Sequence, residues 1–145
     1  MEPEELKRDY ADIAASPFPP VKVTYHTGER EWELVETYRF SIELLTFNLP
    51  QGFRFDLASI PRAVWPVIAP FDLSLVAPLT HDFIYRYAGR LPENSVIPDH
   101  TFTRKEADDL FSELMRIEGV WWWRRSLAYA AVRAFGADAW GRPIS

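Results

Sequence analysis

The segment His81-Asp82-Phe83-Ile84-Tyr85 sets three ionisable groups inside an otherwise apolar run. On a helix His81 and Tyr85, four residues apart, share a face, while Asp82 is turned about 100° from them and can serve a different partner. Two adjacent ionisable groups are costly to bury unless they have partners or a task. Asp108 stands three residues before Phe111 on what reads as the next helix. A carboxylate that holds an imidazole from a neighbouring helix fixes its tautomer and stabilises the imidazolium, which is the geometry of a general base. His81 as base, Asp108 as its partner and Tyr85 as a hydrogen-bonding member form the candidate catalytic set. The alternative is a satisfied polar cluster that pins helices together. In it Asp108 is a first-turn carboxylate favoured by the helix dipole, and Arg104 is its ion-pair partner.

A second constellation, Asp56-Leu57-Ala58-Ser59-Ile60-Pro61-Arg62, crowds an acid, a hydroxyl and a guanidinium into a strand-to-helix junction. Asp56, Ser59 and Arg62 are candidate site residues, set against plain turn chemistry with Asp56 in an Asx-turn and Ser59 as a helix cap. Ser59 lacks the glycine-flanked elbow of a serine nucleophile. His26 and His100 fall in a strand end and a loop, with no ligand spacing to connect them.

The elements that must position these groups follow from the pattern. Glu4 to Ala15 reads as a short polar helix, ended by Ser16-Pro17-Phe18-Pro19-Pro20. Residues 1–20 are therefore taken as an N-terminal extension and 21–145 as one domain. Val21 to His26 and Trp32 to Phe40 flank the turn Thr27-Gly28-Glu29-Arg30 as a hairpin. The alternation Tyr38, Phe40, Ile42, Leu44 predicts a sheet with one wet face. Leu49-Pro50-Gln51-Gly52 is a turn before the extended piece Phe53 to Asp56. Beyond a short Ser59-capped turn, Leu73 to Ala88 has helical spacing and ends at Gly89 as C-cap. Arg90 to Phe102 reads as a loop. Thr103 and Glu106 form a capping box for a helix to Glu118, stopped by Gly119. A last helix covers about Trp121 to Phe135, closed by Gly136. The expected architecture is α+β: a small antiparallel sheet followed by about three helices.

Composition narrows the function. Hydrophobic residues make up 48% of the 145, aromatics 15%, and six are tryptophan, so the chain can bury a core. A formal net charge of -5 gives no drive toward nucleic acid or an anionic surface as a whole. With no cysteine, disulfides and thiolate zinc sites are excluded, and any metal needs oxygen or imidazole ligands. No apolar run approaches the roughly 20 residues of a membrane span. The expected location is the cytoplasm of the cell that makes it, with a virus particle as an equally compatible destination.

Three ordered motifs carry a resemblance. Gly52-Phe53-Arg54-Phe55-Asp56-Leu57-Ala58-Ser59-Ile60-Pro61-Arg62, then His81-Asp82-Phe83-Ile84-Tyr85-Arg86, then Arg104-Lys105-Glu106-Ala107-Asp108-Asp109-Leu110-Phe111 together resemble a domain-of-unknown-function family of tailed bacteriophages and prophages. The likeness spans about Trp32 to Trp140 and implies a phage setting. A shorter likeness is chemical. His81-Asp82-x-x-Tyr85 with Asp108-x-x-Phe111 is similar to the catalytic helix pair of the small secreted phospholipases of the A-two type. That resemblance implies His81 as base, Asp82 as calcium ligand, Tyr85 in the hydrogen-bond network and Asp108 as orienter. The chain departs from it in having no cysteines and no glycine-rich calcium loop, so Asp56 or nearby carbonyls would have to complete a shell of six to eight oxygens.

Two expectations follow. One is a His81-Asp108 hydrolase acting on lipid or ester, calcium-assisted. The other is a non-enzymatic phage component or assembly factor, partnered by other phage structural proteins or lipid, in which the cluster is structural. Trp121-Trp122-Trp123 favours an interaction role, because one helix cannot bury three consecutive indoles. A reachable His81 points to catalysis and a sealed one to structure.

Overall fold

In a computed structural model, residues 17–56, 63 and 76–142 are described. The expected helix at 4–15, the Ser59-capped turn, Ser59 and Arg62 lie outside them. The described residues form six strands and three α-helices, in the order β1 (Val23–His26), β2 (Glu31–Leu34), β3 (Tyr38–Ile42), β4 (Leu45–Leu49), β5 (Arg54–Phe55), α1 (Val76–Arg86), β6 (Val96–Ile97), α2 (Arg104–Ile117), α3 (Trp122–Phe135) and a closing 3-10 turn, Gly136–Ala139. The α+β class holds, with two three-stranded antiparallel sheets in place of one: β1-β2-β5 and β3-β4-β6. None of the described helices is long and apolar enough to cross a membrane.

The long strand expected over Trp32 to Phe40 is broken at Val35–Thr37, and its halves join different sheets. In β2 Leu34 is buried, whereas the burial of β3 alternates strictly, with Tyr38, Phe40 and Ile42 inward. Leu44 leaves that alternation. It lies in the two-residue turn after Glu43, whose φ is 52°, and is 90% exposed. The turn geometry, not the polarity pattern, decides its side. β6 arises in the stretch expected to be a loop, where Val96 pairs with Phe47 and Ile97 with Thr46. Two residues are too few to show a period, and β4 supplies the template.

Aromatic rings join the layers. Phe40 stacks on Phe47, Phe47 on Phe102, and Phe53 meets Phe83 of α1 edge to face. Phe18, ahead of β1, packs edge-on against Phe40, and the Tyr38 hydroxyl donates to the Pro19 carbonyl at 2.5 Å.

The helix ends are where local chemistry is most visible. Thr103 and Glu106 form the expected capping box. Gly119, at φ 85°, ends α2, with its N–H donating to Arg116 O and the Val120 N–H donating to Met115 O. After α1 two residues in a row are left-handed, Ala88 at φ 49° and the expected Gly89. The Gly89 N–H donates to Ile84 O, and the glycine is needed for another reason. A Cβ there, at φ 81°, would lie 1.8 Å from the Phe102 carbonyl oxygen.

Candidate functional site

α1 is almost entirely buried from Val76 to Tyr85, and two of its polar side chains, His81 and Tyr85, find their partner on α2. His81 Nε2 donates to Asp108 Oδ1 at 2.7 Å, and the Tyr85 hydroxyl donates to the same oxygen at 2.6 Å. The His81 ring lies between the rings of Tyr85 and Phe111, with centroids 4.2 and 4.6 Å away. His81, Tyr85 and Asp108 thus form one group, as the two-helix spacing predicts. Because an ionised carboxylate only accepts, Nε2 carries the proton and Nδ1 is the basic nitrogen. Nδ1 is 3.9 Å from Asp82 Oδ1, within charge–charge range and beyond a hydrogen bond.

The other carboxylate oxygen belongs to α3. Arg133 Nη1 donates to Asp108 Oδ2 at 2.7 Å, and Arg104 Nη1 stands 3.7 Å from that oxygen. Arg104 also donates to the Tyr85 hydroxyl at 3.3 Å and to the carbonyls of Val132 at 3.0 Å and Arg133 at 3.2 Å. Those carbonyls lie in the last turn of α3, where a guanidinium is favoured by the helix dipole. Arg104 is therefore a bridge between helices, beyond the ion-pair partner that its i,i+4 spacing suggests. Asp108 sits past the first turn of α2, so its carboxylate is held by side chains and not by the helix N-terminus.

Gly136 closes this arrangement. It ends α3 with an ordinary φ of -77°, and its small size is what matters. A Cβ there would come within 2.8 Å of the Tyr85 hydroxyl and 3.2 Å of Arg104 Nη1. Trp140 then covers Tyr85 edge to face, at 5.0 Å between centroids.

The electrostatics follow from burial opposed by pairing. Burial works against the charged form of His81, but hydrogen bonding and charge from Asp108 and Asp82 outweigh it and raise the imidazole pKa. Burial likewise works to raise Asp108, and the bonds from His81, Tyr85 and Arg133 overcome it, leaving the carboxyl below its ordinary value. Burial and the Asp108 bond push the Tyr85 hydroxyl up, so it stays protonated and can only donate to the carboxylate. His81 is 1% exposed and Asp108 fully enclosed.

Asp56 is half-buried just beyond β5. Among the described residues no group of three or more histidine and acidic side chains is placed to hold a metal ion. His26 bonds Glu33 across the first hairpin, and His100 bonds Glu106 of the capping box. Arg133 is the site residue that the motif reading did not single out. The available signal was energetic: a buried aspartate already facing a histidine needs a cation, and a basic residue at the end of the last amphipathic helix can supply one.

No curated protein and no solved structure matches the chain. A family model does, over residues 32–132, which include His81, Asp108 and the strands from β3 to β6. With most of its length inside that match, the chain belongs to the family described as protein of unknown function (DUF1353).

Proposed function

We propose that this chain is a non-enzymatic assembly protein of a tailed-phage particle, in which the His81-Asp108 cluster locks three helices together. The observation that carries this reading is the enclosure of His81, 1% exposed with aromatic rings on both sides. A general base needs a nitrogen that a substrate or water can reach. Saturation of Asp108 by His81, Tyr85 and Arg133 is what an interhelical lock requires, since each bond comes from a helix other than its own. The phage setting rests on the three ordered motifs. Partner contact draws on Trp121 and Trp122, 69% and 67% exposed at the start of α3.

A second reading is favoured by one specific observation. His81 Nε2 and the Tyr85 hydroxyl converge on the same oxygen of Asp108, leaving Nδ1 as the base, with Asp82 beside it. In that reading the domain is a lipid or ester hydrolase, and a movement must expose His81. The two are separated by assaying the purified chain on ester and phospholipid substrates, with and without millimolar calcium. An assembly protein gives no turnover above background in either condition. Turnover that disappears in His81→Asn, in a variant that still melts cooperatively, overturns the proposal in favour of the hydrolase.

A further inference from the structure

A cleft of about 530 Å³ is lined by residues in and around β2 and the end of α1, among them Glu29, Glu31, Phe53, Arg54, Arg86 and Tyr87. Glu31, the first residue of β2, is 5% exposed, and its Oε2 is buried with no hydrogen-bond partner. A buried carboxylate oxygen left unbonded is costly and demands an explanation. The neighbouring donors are committed elsewhere. His26, its register partner on β1, bonds Glu33 Oε1 at 2.9 Å, and Arg54 approaches that same oxygen with Nε and Nη2, each at 3.1 Å. Glu33 takes both of these donors and Glu31 neither.

Across the cleft the opposite situation holds. Arg86, at the last turn of α1, donates Nη2 to the Arg54 carbonyl at 2.8 Å and lies over the Phe53 ring at 4.9 Å. Among the described residues no carboxylate comes within ion-pair distance of it, so its guanidinium is positioned by a carbonyl and a ring with donors to spare. The same cleft thus holds a carboxylate without a cation, on β2, and a guanidinium without an anion, on α1.

We infer that this cleft binds a small aliphatic zwitterion, its ammonium on Glu31 and its carboxylate on Arg86. Oε2 of Glu31 needs a single strong donor, which an ammonium supplies, and the planar fork of Arg86 suits a carboxylate. Phe53 and Tyr87 also line the cleft and offer apolar surface for a short methylene stem. The volume falls within the range of small-molecule sites. The site is separate from the His81 cluster, and the proposal stands whichever reading of that cluster is right.

The test uses the full chain and ω-amino acids of increasing length, glycine, 4-aminobutyrate and 6-aminohexanoate, as a ruler. n-Hexylamine and hexanoate serve as singly charged controls, with affinity measured by calorimetry and contact by the amide shifts of Gly52 and Arg86. One zwitterion is expected to bind more tightly than either control. Glu31→Gln and Arg86→Gln should each weaken it roughly ten- to a hundredfold, the scale of a lost charge-assisted bond. Glu31→Gln keeps the side-chain shape and removes a buried unpaired charge, and its melting curve verifies folding. Arg86→Gln gives an independent reading if that variant is perturbed. Binding of hexylamine as tight as the zwitterion, with no effect of Arg86→Gln, overturns the zwitterion in favour of a bare cation site. No binding by any probe at millimolar concentration, or binding indifferent to both substitutions, overturns the site altogether.

Discussion

His81 and Arg133 hold opposite oxygens of one enclosed carboxylate, that of Asp108, so that α1 and α3 are joined through α2. A tie of this kind makes three helices depend on one side chain.

Asp108→Asn is expected to be the most damaging substitution in the cluster. The amide cannot accept at both ends, and it leaves His81 and the two arginines facing a neutral group. Removing one member of a buried charged pair costs about 3–5 kcal/mol, so the urea midpoint should fall sharply. A loss under about 1 kcal/mol would show that the carboxylate is not what holds the helices.

His81→Asn preserves a planar hydrogen-bonding side chain and removes the titratable ring. With a structural cluster, stability falls by about 1–3 kcal/mol as Asp108 and Tyr85 are left imperfectly paired. With a hydrolase, stability is nearly unchanged and the rate falls roughly a hundredfold or more. Parallel denaturation and ester assays distinguish these outcomes.

Stability should also depend on pH in a defined sense. The raised pKa of His81 means that its contribution is complete below about 6.5 and is lost as pH rises through the folded-state value. The lowered pKa of Asp108 means that its contribution is complete above about 3.9 and is lost as pH falls through its folded-state value. Between those limits the cluster contributes most. Urea midpoints taken from about pH 5 to about pH 9 should decline on the alkaline side, and His81→Asn should flatten that decline. An equally steep decline in the variant would assign it to other groups.

Glycine substitutions test the packing behind the cluster. Gly136→Ala drives a methyl against the Tyr85 hydroxyl, which is the end of a rigid ring pinned by Asp108, and should cost about 1–3 kcal/mol. Gly89→Ala meets backbone, the Phe102 carbonyl, at a left-handed φ, and should be worse. Melting temperatures in the reverse order would mean that the α1 end can shift and the α3 end cannot.

What could be read from the sequence was local or strongly periodic. The capping box of Thr103 and Glu106 and the stop at Gly119 involve neighbours in the chain, and both stand as read. The pairing of His81 with Asp108 was legible because each lies on one face of one of two consecutive helices. Position 136 was right for a less local reason: the glycine ends α3 where expected, yet it is required by Tyr85, a residue 51 positions earlier. Tertiary context also decided the break at Val35–Thr37, the outward Leu44, the two-residue β6 and the roles of Arg133 and Glu31. None of these has a signature in its own neighbourhood.

The pairing of β6 with β4 has a consequence for how the molecule comes apart. β6 lies in the excursion between α1 and α2, and it is held to the second sheet by Val96, Ile97 and the Asn48 N–H bond to Ser95 O, while Phe102 returns to Gly89 at the end of α1. The helices therefore cannot separate from that sheet without pulling out their own connecting chain. Amides in α2 and in β4, although 55 or more residues apart at Leu49 and Arg104, should exchange with solvent at one common free energy, as a single cooperative unit.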